Sequence, residues 1–287
     1  EGSAPDIGAY ENSLGTPLHN ELIYVKTDGD DTGSVGLEAE AFASIQAAID
    51  YSEDGDTVLV YPGTYVENLE ISGKDIVLGS RFLTTADTSY ISQTIIDGDA
   101  NGRVLFLDVG ISDACRITGL TLRNGYVPAG AFENGGAIYC DNANPRLDHL
   151  YILANTVEAW GGGIASFNSK PIIEDCIFSN NTASFASALF IRLNGVGDTA
   201  FVSRCEFVDN EATSGYTVYL NDADVIATDL HIHDNIREGL ALRGLSHHIE
   251  ITNTLIHDNT SHGVSSFSAS DVTLTNCTIA SNGLYGI

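Results

Sequence analysis

The chain reads LYILAN at residues 150–155, and five later segments close on Asn in the same way. They are CIFSNN at 176–181, CEFVDN at 205–210, LHIHDN at 230–235, TLIHDN at 254–259 and CTIASN at 277–282. Successive closing asparagines are 23 to 29 residues apart. An earlier copy, LTLRNG at 120–125, fits the frame with a slip of one residue. A repeat of this period indicates stacked supersecondary units.

Each of the six segments alternates in character. The third residue before the closing Asn is always Ile or Phe, and the fifth is Leu, Cys or Thr. This period of two predicts a strand with one buried face. The Leu-x-x-Leu-x-Leu frame of a leucine-rich repeat is missing. An immunoglobulin-like sandwich would not repeat the same residue types at equivalent positions with this period.

Two further apolar runs complete each repeat. One follows each Asn, as GGAI (135–138), GGGI (161–164), ASAL (186–189), GYTV (215–218), EGL (238–240), HGV (262–264) and YGI (285–287). The other comes later, as PII (171–173), AFV (200–202), DVIA (224–227), HIEI (248–251) and DVTL (271–274). Three strands in about 25 residues predict an all-β fold, a right-handed single-stranded parallel β-helix, whose coils stack at about 4.8 Å. Asn at every turn should form a ladder, since its amide bonds to coils above and below and it tolerates αL geometry.

Residues 40–53, EAFASIQAAIDYSE, place Phe42, Ile45 and Ile49 at helical spacing. We expect a short amphipathic helix that caps the N-terminal end of the solenoid, where an open sheet would invite aggregation. The β-helix domain should cover residues 21–287. It ends in mid-coil, so we expect further modules or subunits at that end.

The stretches IYVKTDGDD (23–31) and FASIQ through VLGS (42–80), followed by the coils, resemble the pectin-lyase-like superfamily of parallel β-helix proteins. The opening PDIGAYE (5–11) resembles the tail that closes a preceding module in large secreted bacterial proteins. Residues 1–20 are therefore interpreted as such a tail or a linker. GGAI at 135–138 and the F-x-x-N pattern resemble polymorphic outer-membrane adhesin repeats. The resemblance implies an extracellular or cell-surface location, but the superfamily holds lyases, hydrolases, esterases, epimerases and adhesins, so fold does not settle function.

The composition is strongly acidic, with a formal net charge of −27. Nucleic acids and anionic membranes are disfavoured as partners, and a cation-rich setting is favoured. No apolar run is long enough for a membrane-inserted helix. The five cysteines form no CxxC pair, so we expect buried core thiols rather than a zinc site. The chain opens with Glu and contains no Met, which indicates a processed product or a fragment.

Two groups of acids are candidate calcium sites, and Ca²⁺ is the only cofactor we expect. Asp209, Asp234 and Asp258 each precede a closing Asn and should form one column. A metal site and a row of solvated turn residues are both open readings. The second candidate site consists of Asp97, Asp99 and Asn101, which match the start of a calcium loop, although a plain turn fits equally.

Histidines form the neighbouring column. His233 and His257 lie two residues before their closing Asn, and alternation puts them on the outer side of the strand together with His231. A metal site or an acid/base role is open for them, as is a solvated position with no role.

The connection between the first and second strands is longest in the early repeats, so the long loops should be neighbours on one edge. They carry Tyr126, Phe132, Glu133, Glu158 and Trp160, the only tryptophan. Aromatic rings beside acids suit stacking on sugars, so these five residues are our candidate ligand site. The rings could also simply pack on their own loops.

Three functions stay open. Beyond residue 170 only Arg192, Arg204, Arg237 and Arg243 remain as cations, which leaves few candidates for a lyase base. We therefore favour a non-catalytic secreted or surface module for adhesion, glycan binding or rigid spacing. The alternatives are a carbohydrate-active enzyme, either a polysaccharide lyase or a glycoside hydrolase, and a self-assembling structural subunit. Its expected partner is a polysaccharide or cell-surface glycan.

Overall fold

The structure is a computed structural model that describes residues 19–128, 130, 134–193, 198–244, 247–269 and 271–287. Except for His19 and Asn20, the predicted tail or linker at residues 1–20 lies outside the described residues.

The described chain is almost entirely short strands with three short helices. The elements before the Asn repeat are β1 (Leu22–Val25), α1 (Ile45–Tyr51), β2 (Thr57–Val60), β3 (Gly63–Val66), β4 (Leu69–Ile71), β5 (Val77–Ser80), α2 (Phe82–Thr85), α3 (Ser89–Gln93), β6 (Thr94–Asp97) and β7 (Leu105–Leu107). Next come β8 (Arg116–Thr118), β9 (Thr121–Arg123), β10 (Tyr126–Val127), β11 (Ile138–Asp141), β12 (Arg146–Asp148), β13 (Tyr151–Leu153), β14 (Thr156–Val157), β15 (Ile164–Phe167), β16 (Ile172–Glu174), β17 (Ile177–Ser179), β18 (Thr182–Ala183) and β19 (Leu189–Arg192). The last are β20 (Thr199–Ser203), β21 (Glu206–Val208), β22 (Glu211–Asn221), β23 (Asp224–Thr228), β24 (His231–His233), β25 (Ile236–Arg243), β26 (His248–Thr252), β27 (Leu255–His257), β28 (Val264–Phe267), β29 (Asp271–Thr275) and β30 (Thr278–Ala280).

These strands form three parallel sheets, to each of which every coil contributes in turn. Sheet 1 runs β1-β2-β5-β8-β12-β16-β20-β23-β26-β29. Sheet 2 runs β4-β7-β11-β15-β19-β22-β25-β28. The short strands β10, β14 and β18 form a second row that joins the beginning of β22, on the same edge as β19. Sheet 3 runs β3-β6-β9-β13-β17-β21-β24-β27-β30. The predicted all-β parallel solenoid is confirmed.

Sheet 3 contains the strands that close on Asn, and its interior row proves the predicted register. Ile232 pairs with Ile256 and Ile256 pairs with Ile279. Towards the N-terminus the same row continues through Phe207 and Phe178, whose rings stack with centroids 4.7 Å apart. Side chains distant in sequence are therefore vertical neighbours in one apolar core.

The asparagine ladder is confirmed in detail. From Asn155 to Asn282, each Asn Nδ2 donates to the Oδ1 of the next Asn over 2.8–3.0 Å. The ladder asparagines do not themselves take the αL conformation. The αL residue, with φ of 52–57°, is the one before each Asn: Ala154, Asn180, Asp209, Asp234, Asp258 and Ser281. This turn points the following amide into the solenoid, where every ladder Asn but the half-buried Asn282 is buried.

The copy at 120–125 has no slip. Leu122 pairs with Ile152, so Gly125 occupies the position equivalent to Asn155. Gly125 donates its backbone N–H to Asn155 Oδ1 over 2.9 Å and begins the ladder. A Cβ at this position would lie 2.0 Å from the carbonyl oxygen of Gly136, so no side chain fits.

The N-terminal helix is confirmed but begins later than the periodicity indicated. Ser44 caps it, and Phe42 precedes it in an isolated bridge with Val25. The Glu67 carboxylate accepts the backbone N–H groups of Ile45 and Gln46 at 2.8 and 2.9 Å, which satisfies the first helical donors. The apolar side of α1 is buried against the first coil.

The last predicted strand, YGI at 285–287, is not a strand in the structure. Two backbone bonds pair this segment with the preceding coil, from Gly263 N to Tyr285 O and from Val264 N to Gly286 O. Ile287 is 75% exposed. No helix in the described ranges is long and apolar enough to cross a bilayer.

The cysteines are free thiols, as predicted. Cys115, Cys140, Cys176 and Cys205 are buried, whereas Cys277 is half-buried. Burial raises the pKa of the Cys115 thiol to about 11, so it stays neutral and behaves as a small apolar side chain.

Candidate functional site

Sheet 2 presents two outward rows of side chains on its solvent side. The first row, matched from coil to coil, is Phe106, Tyr139, Ala165, Phe190, Tyr219 and Ala241. The second row is Asp141, Phe167, Arg192, Asn221, Arg243 and Phe267. Strand alternation places the intervening residues in the core. We call these two rows, together with Trp160, Tyr216 and Glu238, the aromatic–arginine face.

Aromatic rings form a continuous layer over this face. Trp160 lies with ring centroids 5.0 Å from Phe190 and 5.8 Å from Tyr219. Tyr216 extends the layer, at 5.0 Å from Tyr219 and 5.8 Å from Phe267. Phe267 is 44% exposed, and Trp160 and Tyr216 are half-buried. The layer therefore offers ring surface to a ligand as well as packing against the sheet.

Polar groups without protein partners converge on the same face. Within the described ranges, Arg192 Nε, Asn221 Oδ1 and Glu238 Oε2 are buried and accept or donate no hydrogen bond. Arg192 lies beside Asn221 in the row, and Glu238 lies beside Tyr216. Leaving such a group unsatisfied costs about 1–3 kcal/mol. The three atoms are covered by neighbouring side chains, so a ligand or water reaches them only when those side chains move.

Raised pKa values keep two hydrogen-bond donors of this face protonated. A hydrogen bond with the Tyr219 hydroxyl raises the pKa of Arg243, which stays cationic. Burial, followed by the charge of Glu238, raises the pKa of the Tyr216 phenol. The face thus combines fixed cations with neutral hydroxyl donors.

A third guanidinium closes the N-terminal end of the face. Arg103 lies over the rings of Phe106 and Tyr139, 5.4 and 5.0 Å from their centroids, and donates to the carbonyl oxygen of Asn134. Beside it is a depression of about 420 Å³ that Glu70 and Val127 also line. Cation–π contacts attract this guanidinium to the faces of both rings.

The predicted aromatic loop site is only partly assembled. Trp160 lies at the centre of the aromatic–arginine face, while Tyr126 and Glu158 lie on neighbouring coils at its edge, 3.4 Å apart through Oη and Oε1. Phe132 and Glu133 lie outside the described residues. Sequence reasoning missed Phe190, Tyr219 and Arg192. Their signal was available, because Phe190 and Tyr219 directly follow the aligned apolar residues of the second strand.

The first carboxylate of the candidate calcium loop is hydrogen-bonded to other side chains of the protein. Asp97 is buried and accepts from Arg123 Nε at 2.7 Å and from Asn124 Nδ2 at 2.9 and 3.0 Å. It also accepts the backbone N–H of Asp99. Burial opposes ionisation, but these bonds outweigh it and lower the pKa of Asp97. This favours the plain-turn reading, and a calcium role for Asp97, Asp99 and Asn101 stays a prediction.

The acidic column Asp209, Asp234 and Asp258 exists, but each carboxylate is exposed and splays outward from its αL turn. Asp234 accepts from His233 Nδ1 and Asp258 from His257 Nδ1, both at 2.7 Å. Among the described residues, one group of three metal-ligand side chains has its ligand atoms within 4.8 Å of one another. It consists of His231, His233 and His257 and contains no aspartate. Calcium binding by the column also stays a prediction.

Two further acids lie at the edge of the aromatic–arginine face. Asp141 ends β11, and Asp108 follows β7 at the matching position, since Leu107 pairs with Cys140. The two residues therefore lie on adjacent coils, with their backbones about one strand spacing, about 4.8 Å, apart. Tyr139 lies close enough for both charges to act on its phenol.

Comparison with known proteins places this chain in a family. The model of the family described as "Right handed beta helix region" matches residues 136–287, which is more than half of the chain. The chain belongs to this family of right-handed β-helix proteins. No match was found among curated proteins.

Several solved structures share the fold. Pectin methylesterase PemA from Erwinia chrysanthemi is 10% identical with a TM-score of 0.53, covering 90% of this chain and 93% of that one. A pectin methylesterase from Aspergillus niger is 15% identical with a TM-score of 0.50, covering 92% and 86%. At such identities the likeness shows the pectin-lyase-like fold and leaves chemistry to the residues.

Proposed function

We propose that this protein is a non-catalytic glycan-binding β-helix module that works outside the cell or at its surface. Its binding site is the aromatic–arginine face, and its ligand is an acidic polysaccharide chain. The observation that carries the proposal is the second row of this face, in which Arg192, Asn221 and Arg243 are flanked by the rings of Phe167 and Phe267.

The alternation of rings and polar groups suits a sugar chain. Pyranose rings present flat C–H surfaces that pack on aromatic faces, and their rims carry hydroxyl groups. Arg192 and Glu238 are half-buried and Arg243 is exposed, so the side chains of this face offer donors and an acceptor to sugar hydroxyls. Sites of this kind combine apolar contact with a few fixed polar groups.

The arginines favour an acidic sugar. The chain has only 12 Lys and Arg, yet Arg103, Arg192 and Arg243 all lie on this one face. Guanidinium groups pair with carboxylates in bidentate geometry. Against a net charge of −27, this local cluster gives a polyanion one favourable place to bind.

Calorimetric titration with a galacturonate hexasaccharide and a neutral glucose hexasaccharide tests the proposal. We expect binding of the acidic ligand, at least about tenfold weaker in Trp160→Ala, which corresponds to about 1.4 kcal/mol. Arg192→Gln should lose affinity for the acidic ligand more than for the neutral one.

Phe201→Ala is the matched control, because Phe201 is an exposed ring on sheet 1 and is 42% exposed. Its binding should equal that of the unaltered protein. Loss of affinity in this variant equal to that in Trp160→Ala, or no binding of either sugar, would reject the site.

A carbohydrate-active enzyme is the second candidate, and the position of Asp108 and Asp141 on adjacent coils favours it. Two acids flanking a bound sugar can act as acid and base or nucleophile. Incubation with pectin, galacturonan and neutral glucans, followed by assays of reducing ends, unsaturated products and released methanol, separates the two functions. Turnover that Asp108→Asn and Asp141→Asn abolish would replace the binding function with an enzymatic one.

A further inference from the structure

Three imidazoles meet on the outer face of sheet 3. His231 and His233 project from β24 and His257 from β27, and His233 pairs directly with His257. Their ring centroids lie 3.9–5.2 Å apart. One nitrogen of each lies within 4.8 Å of those of the other two. This face is separate from the aromatic–arginine face, so the inference is independent of the proposed function.

Carboxylates orient two of the three rings. Asp234 and Asp258 each accept Nδ1–H of the histidine before them, at 2.7 Å. With Nδ1 held in this way, Nε2 of both rings points into the group. Carboxylate partners on the far nitrogen are the usual support of metal-bound histidine, since they fix the ring and raise its basicity.

A carboxylate lies beside the three histidines. Glu206 lies on β21 in register with His231, and its Oε1 is 3.1 Å from His233 Nε2 and 3.9 Å from His231 Nδ1. The side chain of Glu206 is 39% exposed and that of His233 is 13% exposed. The group is therefore partly shielded yet open to an entering ion.

We propose that His231, His233 and His257, with Glu206 as the fourth ligand, form a binding site for a divalent transition-metal ion of the zinc type. His231 Nε2 and His257 Nε2 lie 2.8 Å apart, so one carries a proton and the other a lone pair. The metal ion replaces that proton, which leaves to solvent. Tetrahedral zinc with bonds of about 2.0–2.1 Å places its ligand nitrogens about 3.3 Å apart, so these two nitrogens must separate by about half an ångström.

Donor chemistry selects the ion. Imidazole nitrogen suits zinc, copper and nickel, whereas calcium and magnesium take oxygen ligands. The surrounding acids Asp209, Asp234 and Asp258 add negative charge that favours any cation. The proposed ligands come from three consecutive coils, so the bound ion ties β21, β24 and β27 together.

Titration of the full, untagged, EDTA-treated chain with ZnCl₂ tests the site by calorimetry. We expect one Zn²⁺ per chain and a rise in the unfolding temperature, because an ion that binds only the folded chain stabilises it. His257→Ala should bind at least about 100-fold more weakly, and Asp258→Asn about 10- to 100-fold more weakly. Millimolar CaCl₂ should not compete. X-ray absorption at the zinc edge should show three nitrogen ligands.

His248→Ala is the matched control, since His248 is a surface histidine on sheet 1 that pairs with Asp271. Its zinc affinity should not change. Circular dichroism of each EDTA-treated variant verifies folding, and Asp258→Asn keeps all three histidines if His257→Ala folds poorly. Equal zinc binding by the chain and by its His231, His233 and His257 triple alanine variant would overturn the inference, as would an equal loss in His248→Ala.

Discussion

Single residues in sheet 1 carry buried charge. Asp148 is 1% exposed and accepts from Arg116 Nε and Nη2 at 2.6 and 2.8 Å, from Thr118 Oγ1 at 2.7 Å and from His149 Nδ1 at 2.9 Å. Burial alone would raise the pKa of this carboxyl. The bidentate guanidinium and the other donors outweigh burial, so the pKa of Asp148 is lowered.

Asp148→Asn should lower the free energy of unfolding by about 3 kcal/mol near neutral pH, because it removes one partner of a buried pair. A carboxyl whose pKa is lowered by folding stabilises the protein above its unfolded pKa of about 3.9. That contribution disappears as pH falls through the folded value. Urea unfolding of both proteins from neutral pH to acid should therefore show the difference shrinking below about pH 4. A difference independent of pH would contradict this.

At the scale of elements, the asparagine ladder joins consecutive turns between sheets 3 and 2. Asn210 Oδ1 accepts Nδ2 and backbone N–H of Asn181, at 2.9 and 3.0 Å. Its own Nδ2 donates to Phe178 O and Asn235 Oδ1, at 2.9 and 3.0 Å. Each member thus satisfies buried groups of the coil before it and donates to the coil after it.

Asn210→Ala should lower the free energy of unfolding by about 3 kcal/mol, since it leaves several buried donors and acceptors unpaired at about 1–3 kcal/mol each. Asn282→Ala is the matched comparison at the half-buried end of the same ladder. We expect about 1 kcal/mol or less there, because water reaches the freed groups. Equal losses in urea unfolding would show that the ladder is not held by burial.

At the scale of the whole molecule, the net charge of −27 works against the compact state. Mutual repulsion among exposed acids is long-ranged at low salt, where the Debye length is about 30 Å at 0.01 M and about 10 Å at 0.1 M. Ionic strength therefore acts on the entire solenoid rather than on one contact.

The unfolding temperature should rise as NaCl increases from about 0.01 M to 0.5 M, because salt screens this repulsion. At matched ionic strength, CaCl₂ should raise it by the same amount, since Asp97 is occupied by Arg123 and Asn124, and Asp234 and Asp258 bind histidines. A larger rise with calcium that Asp99→Asn removes would instead establish the calcium loop.

The sequence alone determined the solenoid and its register. Ile232, Ile256 and Ile279 occupy the same position in successive repeats, and in a parallel stack such equivalent residues lie in one row even though the repeat length varies. The repeat also located the histidine column, and the helical spacing of apolar residues located the amphipathic helix. These features follow from local periodicity, which the chain carries in its own order of residues.

The tertiary structure alone decided what the side chains do. Asp234 and Asp258, whose sequence pattern left a calcium site and solvated turns both open, accept hydrogen bonds from the histidines that precede them. Gly125 begins the ladder because Gly136, later in the same coil, leaves no room for a Cβ. Trp160 meets Phe190 and Tyr219 across three coils. Such contacts depend on loop paths and neighbouring coils, and period alone does not encode these distances.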